Sequence, residues 1–287
     1  MNIAAPATLT SSLGPTTRGV ARLSVVHADD RSSVADLYAA QPLRILTPKP
    51  GVGEALTAVI ANLSGGIVGG DRYETAIDLA SGATLSVAAQ AAEKVYRSTG
   101  AEAENRLAFK LGDGAALEWL PQGTILFDRA IFRQSVGFEL AGSATLLAGA
   151  ISVLGRSAMG ETVSSGRYRE HWDLRRDGKL VWADRFDLRD AAAAAGPASA
   201  MRGVSCFATA LFARRGASGE LDWVRDVMMQ CGPETRAGAT AIDDHLLTMR
   251  WLDGDAMRLR EAVGHFWGKA RARWLGRPER LPVIWRI

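Results

Sequence analysis

A weak internal repeat restricts the folds open to this chain more than any other feature of its sequence. Three glycine-containing turns share one pattern, in which a leucine is followed by an alanine four positions on and by a second leucine six positions on. The copies start at Leu79, Leu111 and Leu140, so the spacings are 32 and 29 residues. Apolar and polar side chains alternate around the turns, which is typical of strands with one buried face. Because such a repeat cannot bury its apolar face alone, the pattern predicts a mainly β chain of stacked strands.

Stacked strands of this kind are compatible with two architectures, a β-solenoid and a β-sandwich. Further strands are predicted beyond the repeat, over residues 170–174 and 179–182 around the Asp177-Gly178 turn and over residues 204–212. We therefore expect residues 41–287 to form a single elongated β-rich domain.

Two segments carry weaker signals. Residues 1–40 form a poorly specified N-terminal segment that could supply an edge strand. Residues 190–200 are rich in alanine and are interrupted by Gly196 and Pro197, a composition that predicts a mobile loop. Neither segment is assigned a function.

One amphipathic helix is predicted near the C-terminus, beginning near Asp255. Apolar residues recur there at spacings of four, three, four and four and lie on one helical face, namely Leu259, Val263, Phe266, Ala270 and Trp274. We expect this helix to cap the sheet. The remaining positions and the tail carry a basic excess, which indicates a solvated face or, alternatively, a surface for an acidic partner. The basic residues are Arg258, Arg260, Lys269, Arg271, Arg273, Arg277, Arg280 and Arg286.

Composition and charge exclude several classes of protein. A chain with 47% hydrophobic and 23% charged residues can build an ordinary globular core, and a net charge of +3 does not indicate nucleic-acid binding. Cys206 and Cys231 cannot form a disulfide framework, which favours a reducing cytosol. Residues 1–19 lack a signal-peptide pattern, and the uncharged stretch 140–155 is shorter than the roughly 20 residues of a membrane helix. These features predict a cytoplasmic protein.

No catalytic constellation is recognisable in the sequence. The segment 203–207 begins like the G-x-S-x-G turn of serine hydrolases but lacks its final glycine. The four histidines are far apart and form no zinc motif; they are His27, His171, His245 and His265. The chain is therefore predicted not to be an enzyme.

The glycine-rich stretch 65–71 allows two interpretations. Backbone N–H groups of a glycine loop can hold a phosphate, so a nucleotide-binding enzyme is one alternative. However, the spacing is not G-x-G-x-x-G, and residues 73–79 alternate like a strand instead of forming a helix. The second interpretation is a pair of tight glycine corners in which Asp71 accepts turn hydrogen bonds.

Several polar residues interrupt strands that are otherwise apolar. They are Gln90, Glu93, Lys94, Glu118, Gln122, Asp128 and Glu161. Gln90 follows Gly82 by eight positions and Gln122 follows Gly114 by eight, so stacked repeats would align the two amides. Such groups could form a structural hydrogen-bond ladder or line a water-filled path for a hard or borderline divalent cation. Tight storage of a metal would instead need clustered imidazole or thiolate ligands.

At these residues the chain resembles the urease accessory protein UreD family, called UreH in some systems. The similarity lies in four ordered blocks across about 100 residues, with weaker similarity near 206–209 and 275–285. The blocks are residues 64–71 (SGGIVGGD), 90–98 (QAAEKVYRS), 117–128 (LEWLPQ, then TILFD) and 154–161 (LGR, then GE).

The resemblance implies a right-handed helical β-sheet fold and a non-catalytic role as a nickel-insertion chaperone. It implies docking on apo-urease with UreF and the GTPase UreG, transient passage of nickel, and no tightly bound cofactor. Matching positions suggest a nickel path through the interior or along the surface, formed by Asp71, Glu93, Lys94, Glu118, Asp128 and Glu161. A structural β-solenoid without a metal role and a glycine-loop nucleotide-binding enzyme remain the alternatives.

Overall fold

Each coil of the chain contributes strands to two stacked sheets, which together form a β-solenoid of about four turns. The computed structural model describes residues 16–156, 159–189 and 203–285. The predicted loop at 190–200 lies outside these residues. Strands are numbered β1 to β17 along the chain.

The first sheet has seven strands and runs mainly parallel through its centre. In spatial order its strands are β14 (Lys179–Leu188), β13 (Arg167–Arg176), β11 (Ile131–Leu140), β8 (Ala103–Leu111), β5 (Arg72–Leu79), β1 (Arg18–Ala28) and β2 (Arg31–Ala40).

The second sheet has ten strands. Eight form a continuous order: β16 (Arg236–Asp243), β17 (Leu246–Asp253), β15 (Cys206–Ala213), β12 (Thr145–Leu154), β9 (Ala116–Trp119), β6 (Thr84–Ala89), β4 (Leu56–Asn62) and β3 (Leu43–Leu46). The other two, β7 (Glu93–Val95) and β10 (Thr124–Leu126), pair with each other, and β10 also pairs with the end of β12.

The repeat predicted from the sequence sets the register of the coils. Leu79, Leu111 and Leu140 are direct neighbours on β5, β8 and β11. The second leucine of each copy is likewise aligned across β6, β9 and β12, and the alanine between them is fully buried in all three copies. The stacked β fold is therefore confirmed, and of the two architectures left open the chain adopts the solenoid.

The strands outside the repeat extend the same two sheets. β1 pairs in parallel with β5 and buries Ala21, Leu23 and Val25, while β2 is the edge strand of the first sheet. The strands predicted around Asp177-Gly178 form the β13–β14 hairpin, and the one predicted at 204–212 is β15. The sequence reasoning did not predict the β16–β17 hairpin or the short helix α1 (Leu221–Met228).

The predicted C-terminal helix is α2 (Ala256–Leu275), which covers the outer face of the second sheet. The Asp255 side chain caps its start by accepting a hydrogen bond from the Arg258 N–H, and Gly276 ends it in a left-handed conformation. All five residues of the predicted apolar face are buried. No helix among the described residues is both long enough and apolar enough to cross a membrane.

One basic residue of α2 does not lie on the solvated face expected for it. Arg271 is fully buried, with its Nε 2.8 Å from Glu118 Oε1 on β9 and an Nη 2.6 Å from Glu54 Oε2. The same guanidinium donates to the carbonyl oxygens of Pro278 and Arg280. Two carboxylates and two carbonyls thus compensate the desolvation of one cation, and they tie the helix, its tail and the second sheet together.

We expect Arg271→Leu to lower the free energy of unfolding by about 3–5 kcal/mol, because it leaves two carboxylates without their cation. Urea denaturation followed by circular dichroism would measure this loss. The matched control is Arg273→Leu, which removes a guanidinium that is 47% exposed and pairs with Glu220. Its expected cost is about 1 kcal/mol or less. Equal losses in the two variants would show that the buried network does not hold the helix.

Candidate functional site: an interior polar cavity

A cavity of about 210 Å³ lies between the two sheets and is lined by both polar and apolar side chains. Its apolar walls include Leu43, Ile60 and Trp119. Four lining residues are themselves exposed, which places an opening beside them: Gly65, Gln90, Ala91 and Lys94. The other polar lining residues are Asn62, Tyr73, Thr75, Glu93, Asn105, Thr124 and Gln134.

One wall carries a row of polar side chains that crosses the first sheet. Tyr73, Asn105, Gln134 and Glu170 are direct neighbours on β5, β8, β11 and β13. The Asn105 amide donates to Gln134 Oε1 at 3.4 Å, and the Gln134 amide donates to Glu170 Oε1 at 3.2 Å. The row therefore forms a chain of hydrogen bonds that ends on a buried carboxyl group.

A second polar row faces the interior from β7, β10 and β12. Glu93, Thr124 and Ser152 are aligned there, and Thr124 and Ser152 are buried. The Ser152 hydroxyl lies 3.0 Å from the Tyr168 hydroxyl, which belongs to the first sheet. At this end the second row therefore contacts β13, the strand that carries Glu170.

Glu93 carries the one carboxyl group among the described residues that line the cavity. Burial raises its pKa to about 7; the hydrogen bond from Asn62 opposes this shift and the charge of Asp71 adds to it. The Asn62 amide donates to Glu93 Oε1 at 3.0 Å. No cation among the described residues lies within ion-pair distance of its carboxylate, so its charge is uncompensated when it ionises.

Glu170 occupies the inner end of the first row. It accepts hydrogen bonds from Gln134 and from the Trp172 indole, the latter at 3.0 Å. Burial raises its pKa, although the hydrogen bonds from Trp172, Tyr168 and Gln134 oppose the shift. Like Glu93, it forms no ion pair with a described residue.

Asp71 supports the opening from behind and does not face the cavity. Its carboxylate accepts the N–H groups of Thr17 and Val68, at 3.1 and 3.0 Å, and the Tyr73 hydroxyl at 3.2 Å. A Cβ at Gly66, whose φ is +151°, would lie 2.6 Å from the Lys94 carbonyl oxygen. The glycine-rich stretch is therefore a pair of tight corners with Asp71 accepting turn hydrogen bonds, as the second interpretation predicted.

Glu118 lies on the opposite face of the second sheet from the cavity. Besides Arg271, it accepts the Ser86 hydroxyl at 2.6 Å and the Trp267 indole at 2.9 Å. Burial raises its pKa, but the hydrogen bonds and charge of Arg271 outweigh this effect and hold the pKa below its ordinary value. Its oxygens are already occupied by donors from the helix and the sheet.

Asp128 and Glu161 form a separate group near the protein surface. Asp128 accepts the N–H groups of Ser164 and Ser165, at 2.8 and 3.1 Å, and Glu161 pairs with Arg156 at 2.7 Å. The structure thus brings Asp71, Glu93 and Lys94 together near the opening. It does not bring Glu118, Asp128 or Glu161 to the cavity.

The sequence reasoning missed the polar row of the first sheet, although the repeat contains a signal for it. Tyr73, Asn105 and Gln134 each lie six positions before a repeat leucine, at Leu79, Leu111 and Leu140 respectively. Counting back from those leucines would have aligned the three polar residues. The amides predicted to stack, Gln90 and Gln122, have different surroundings: Gln90 lines the cavity, whereas Gln122 donates to the Ile284 carbonyl oxygen.

The cavity presents single oxygen ligands along its length and no cluster of ligands at one point. Among the described residues, no group of three or more His, Cys, Asp or Glu side chains could hold a metal ion. Amide, hydroxyl and carboxyl oxygens suit hard and borderline divalent cations. The arrangement can therefore contact a partly hydrated cation at successive positions without enclosing it.

Comparisons with known proteins identify relatives over nearly the whole chain. A family model described as UreD urease accessory protein matches residues 17–286. "Urease accessory protein UreD" of Magnetococcus marinus is 39% identical over 275 residues, which cover 94% of this chain and 94% of that protein. "Urease accessory protein UreD 2" of Methylorubrum populi is 37% identical over 279 residues, 93% and 90% of the two chains. "Urease accessory protein UreD" of Mesorhizobium japonicum is 34% identical over 270 residues, 94% of each.

We expect Glu93→Gln to flatten the pH dependence of stability. The folded-state pKa of about 7 exceeds the ordinary 4.5, so the stability contributed by the protonated carboxyl is complete below pH 4.5 and is lost as pH rises through about 7. The parent should therefore lose about 3 kcal/mol relative to the variant across this window. Urea unfolding at pH values from 4.5 to 8 would measure the difference.

The control for this prediction is Glu74→Gln, since Glu74 is exposed on the outer face of the first sheet. It should follow the parent at every pH. A stability difference between the parent and Glu93→Gln that does not change with pH would mean that folding does not raise the pKa of Glu93.

Proposed function

Since the chain belongs to the UreD family of urease accessory proteins, we propose that it acts as a nickel-insertion chaperone in the cytoplasm. In this role it docks on apo-urease together with UreF and the GTPase UreG and helps nickel reach the urease active site. Nickel is its cargo, and its own residues perform no catalysis. The observation that carries the proposal is the interior cavity with a polar row on each sheet.

The proposed path begins at the exposed opening beside Lys94 and continues past Glu93. Ionised Glu93 offers an oxygen ligand without a competing cation among the described residues. From there the amides of Asn105 and Gln134 line the way inward, and Glu170 lies beyond Gln134. An interior route is therefore better supported than one along the surface.

The same features favour transit over storage. A divalent cation gains tight binding when several charged ligands converge on it, and neutral amide oxygens bind nickel more weakly than imidazole or thiolate groups do. Glu93 and Glu170 stand on opposite sheets with neutral groups between them. A cation would thus meet one carboxylate at a time and could leave each of them.

The six residues suggested by the resemblance take different places in this proposal. Glu93 and Lys94 lie at the opening, and Asp71 holds the corner that shapes it. Glu118 fixes the C-terminal helix through Arg271. The roles of Asp128 and Glu161 in the nickel path stay predictions. In this proposal, nickel contacts them near the protein surface, outside the cavity.

Two rival functions are open to direct test. A glycine-loop nucleotide-binding enzyme should release or absorb heat on titration with ATP or GTP, whereas the chaperone should show no binding of either nucleotide when UreG is absent. A structural solenoid without a metal role should leave the nickel content of urease unchanged when the chain is deleted from a urease-producing cell.

We expect Glu93→Gln and Gln134→Leu each to lower the nickel content of urease by about tenfold, the lower end of the losses caused by replacing groups that support metal ligands. Both changes keep the side-chain volume nearly constant, so the solenoid should remain folded. The measurement is nickel per urease, by atomic absorption, in cells that express urease with each variant. Unfolding of each purified variant would confirm that the fold persists.

Glu74→Gln serves as the matched control, because it makes the same chemical change on the outer face of the first sheet. It should load urease as the parent does. Nickel loading that is unchanged in both cavity variants would rule out the interior path, and chaperone activity would then have to follow another route.

A further inference from the structure

The basic excess of the C-terminal region is only partly neutralised within the chain. Four of its cations pair with carboxylates at 3.6 Å or less: Arg258 with Asp253, Lys269 with Glu279, Arg271 with Glu54 and Glu118, and Arg273 with Glu220. Among the described residues, Arg260 contacts the carbonyl oxygens of Gln122 and Trp285 and the Trp285 ring, and it pairs with no carboxylate. Arg280 is 54% exposed, and its nearest carboxylate among the described residues is that of Glu54, at 4.0 Å.

Arg280 lies on a groove between the C-terminal tail and the segment that leads into β4. The groove encloses about 360 Å³. Its apolar walls include Pro48, Pro50, Val59, Leu281, Pro282 and Val283. Val283 is 66% exposed, and Val52, in the loop beside the groove, is 93% exposed. Large apolar side chains with such exposure at one place are typical of interaction sites.

The charge of the groove is one-sided. Lys49 and Arg280 line it, and Lys49 has no ion-pair partner among the described residues. Glu54 is the single carboxylate among the described lining residues; Arg271 binds both of its oxygens, at 3.2 and 2.6 Å, and Arg280 lies farther from it, at 4.0 Å. An occupant that supplies carboxylates to Lys49 and Arg280 and apolar side chains to the walls would complement the groove.

The walls of this groove are well suited to bind without rearrangement. Prolines at positions 48, 50 and 282 restrict the backbone on both sides, which reduces the entropy lost on binding.

The groove also lies against the cavity wall. Val59 of β4 faces the groove while the next residue, Ile60, lines the cavity, and Gln122 donates to the carbonyl oxygen of Ile284 in the groove.

We propose that this groove docks a segment of a partner protein in urease assembly, one that carries apolar side chains flanked by carboxylates. The inference rests on the proposed function, because that function supplies the partners. A segment docked here lies on the far side of β4 from the cavity, so the contact positions a partner next to the nickel path.

The test pairs a double charge reversal with a crosslinker. Purified apo-urease, UreF and UreG are each titrated against the full chain, the variant Lys49→Glu with Arg280→Glu, and the control Lys179→Glu with Arg215→Glu. The control reverses one lysine and one arginine that are exposed outside the groove. A photo-crosslinking amino acid at position 283 identifies the segment that occupies the groove.

We expect the groove variant to bind one of the three partners about tenfold more weakly at low ionic strength, with a shallower salt dependence, as reversal of rim charges does. The control should bind like the parent, and the crosslink should map to a carboxylate-bearing segment of that same partner. If the groove variant and the parent bind all three proteins equally, the groove is not the docking site, and the proposed function is unaffected. A crosslink only to a second copy of the chain would also rule out the groove as the docking site. If the parent chain binds none of the three proteins, both the groove and the proposed function fail.

Discussion

In-register pairing between successive coils is the constraint on which the rest of the molecule depends. In the first sheet, parallel strands align equivalent positions of successive coils. Residues at one such position therefore lie side by side and form a row across the sheet. The repeat leucines form one such row in the core. Six positions earlier, the same register aligns Tyr73, Asn105 and Gln134 into a polar row. A slip of one residue would turn both rows toward solvent, so the core and the polar row are specified together.

The polar row is difficult to explain by stability alone. Buried polar groups must be hydrogen-bonded, and an apolar row of similar volume would avoid their desolvation cost. The row nevertheless lies beside a core of stacked aromatic side chains, including Phe109 and Phe138 with ring centroids 5.1 Å apart. Asn105, Gln134 and Glu170 satisfy one another within it. A role in the cavity accounts for polar residues at positions where apolar ones would pack at least as well.

Local sequence patterns are sufficient to predict the coils, the C-terminal helix and the glycine corners, because each of these depends on residues close together in the chain. Arg271 was placed on a solvated face because its partner Glu118 lies 153 residues away, and helical spacing cannot reveal such a partner. The sequence pattern does not reveal the role of Glu170 for a related reason. Its strand carries Arg176 where the preceding coil carries Leu140, so the leucine that marks the register is missing there. β1 has Val25 at the equivalent position, which hides its relation to β5 in the same way.

Glu118 and Glu93 show why residue type and family resemblance do not determine a role by themselves. Glu118 and Glu93 both lie in the sequence blocks on which the resemblance to the UreD family rests, and both interrupt apolar strands. The charge of Glu118 is matched by Arg271, and its oxygens also accept hydrogen bonds from Ser86 and Trp267, so its contacts hold α2 against the second sheet. Glu93 receives one amide hydrogen bond and faces a cavity. Ionised Glu93 can therefore be neutralised only by a group from outside the described residues, and this difference makes Glu93 the stronger candidate for contact with a passing cation.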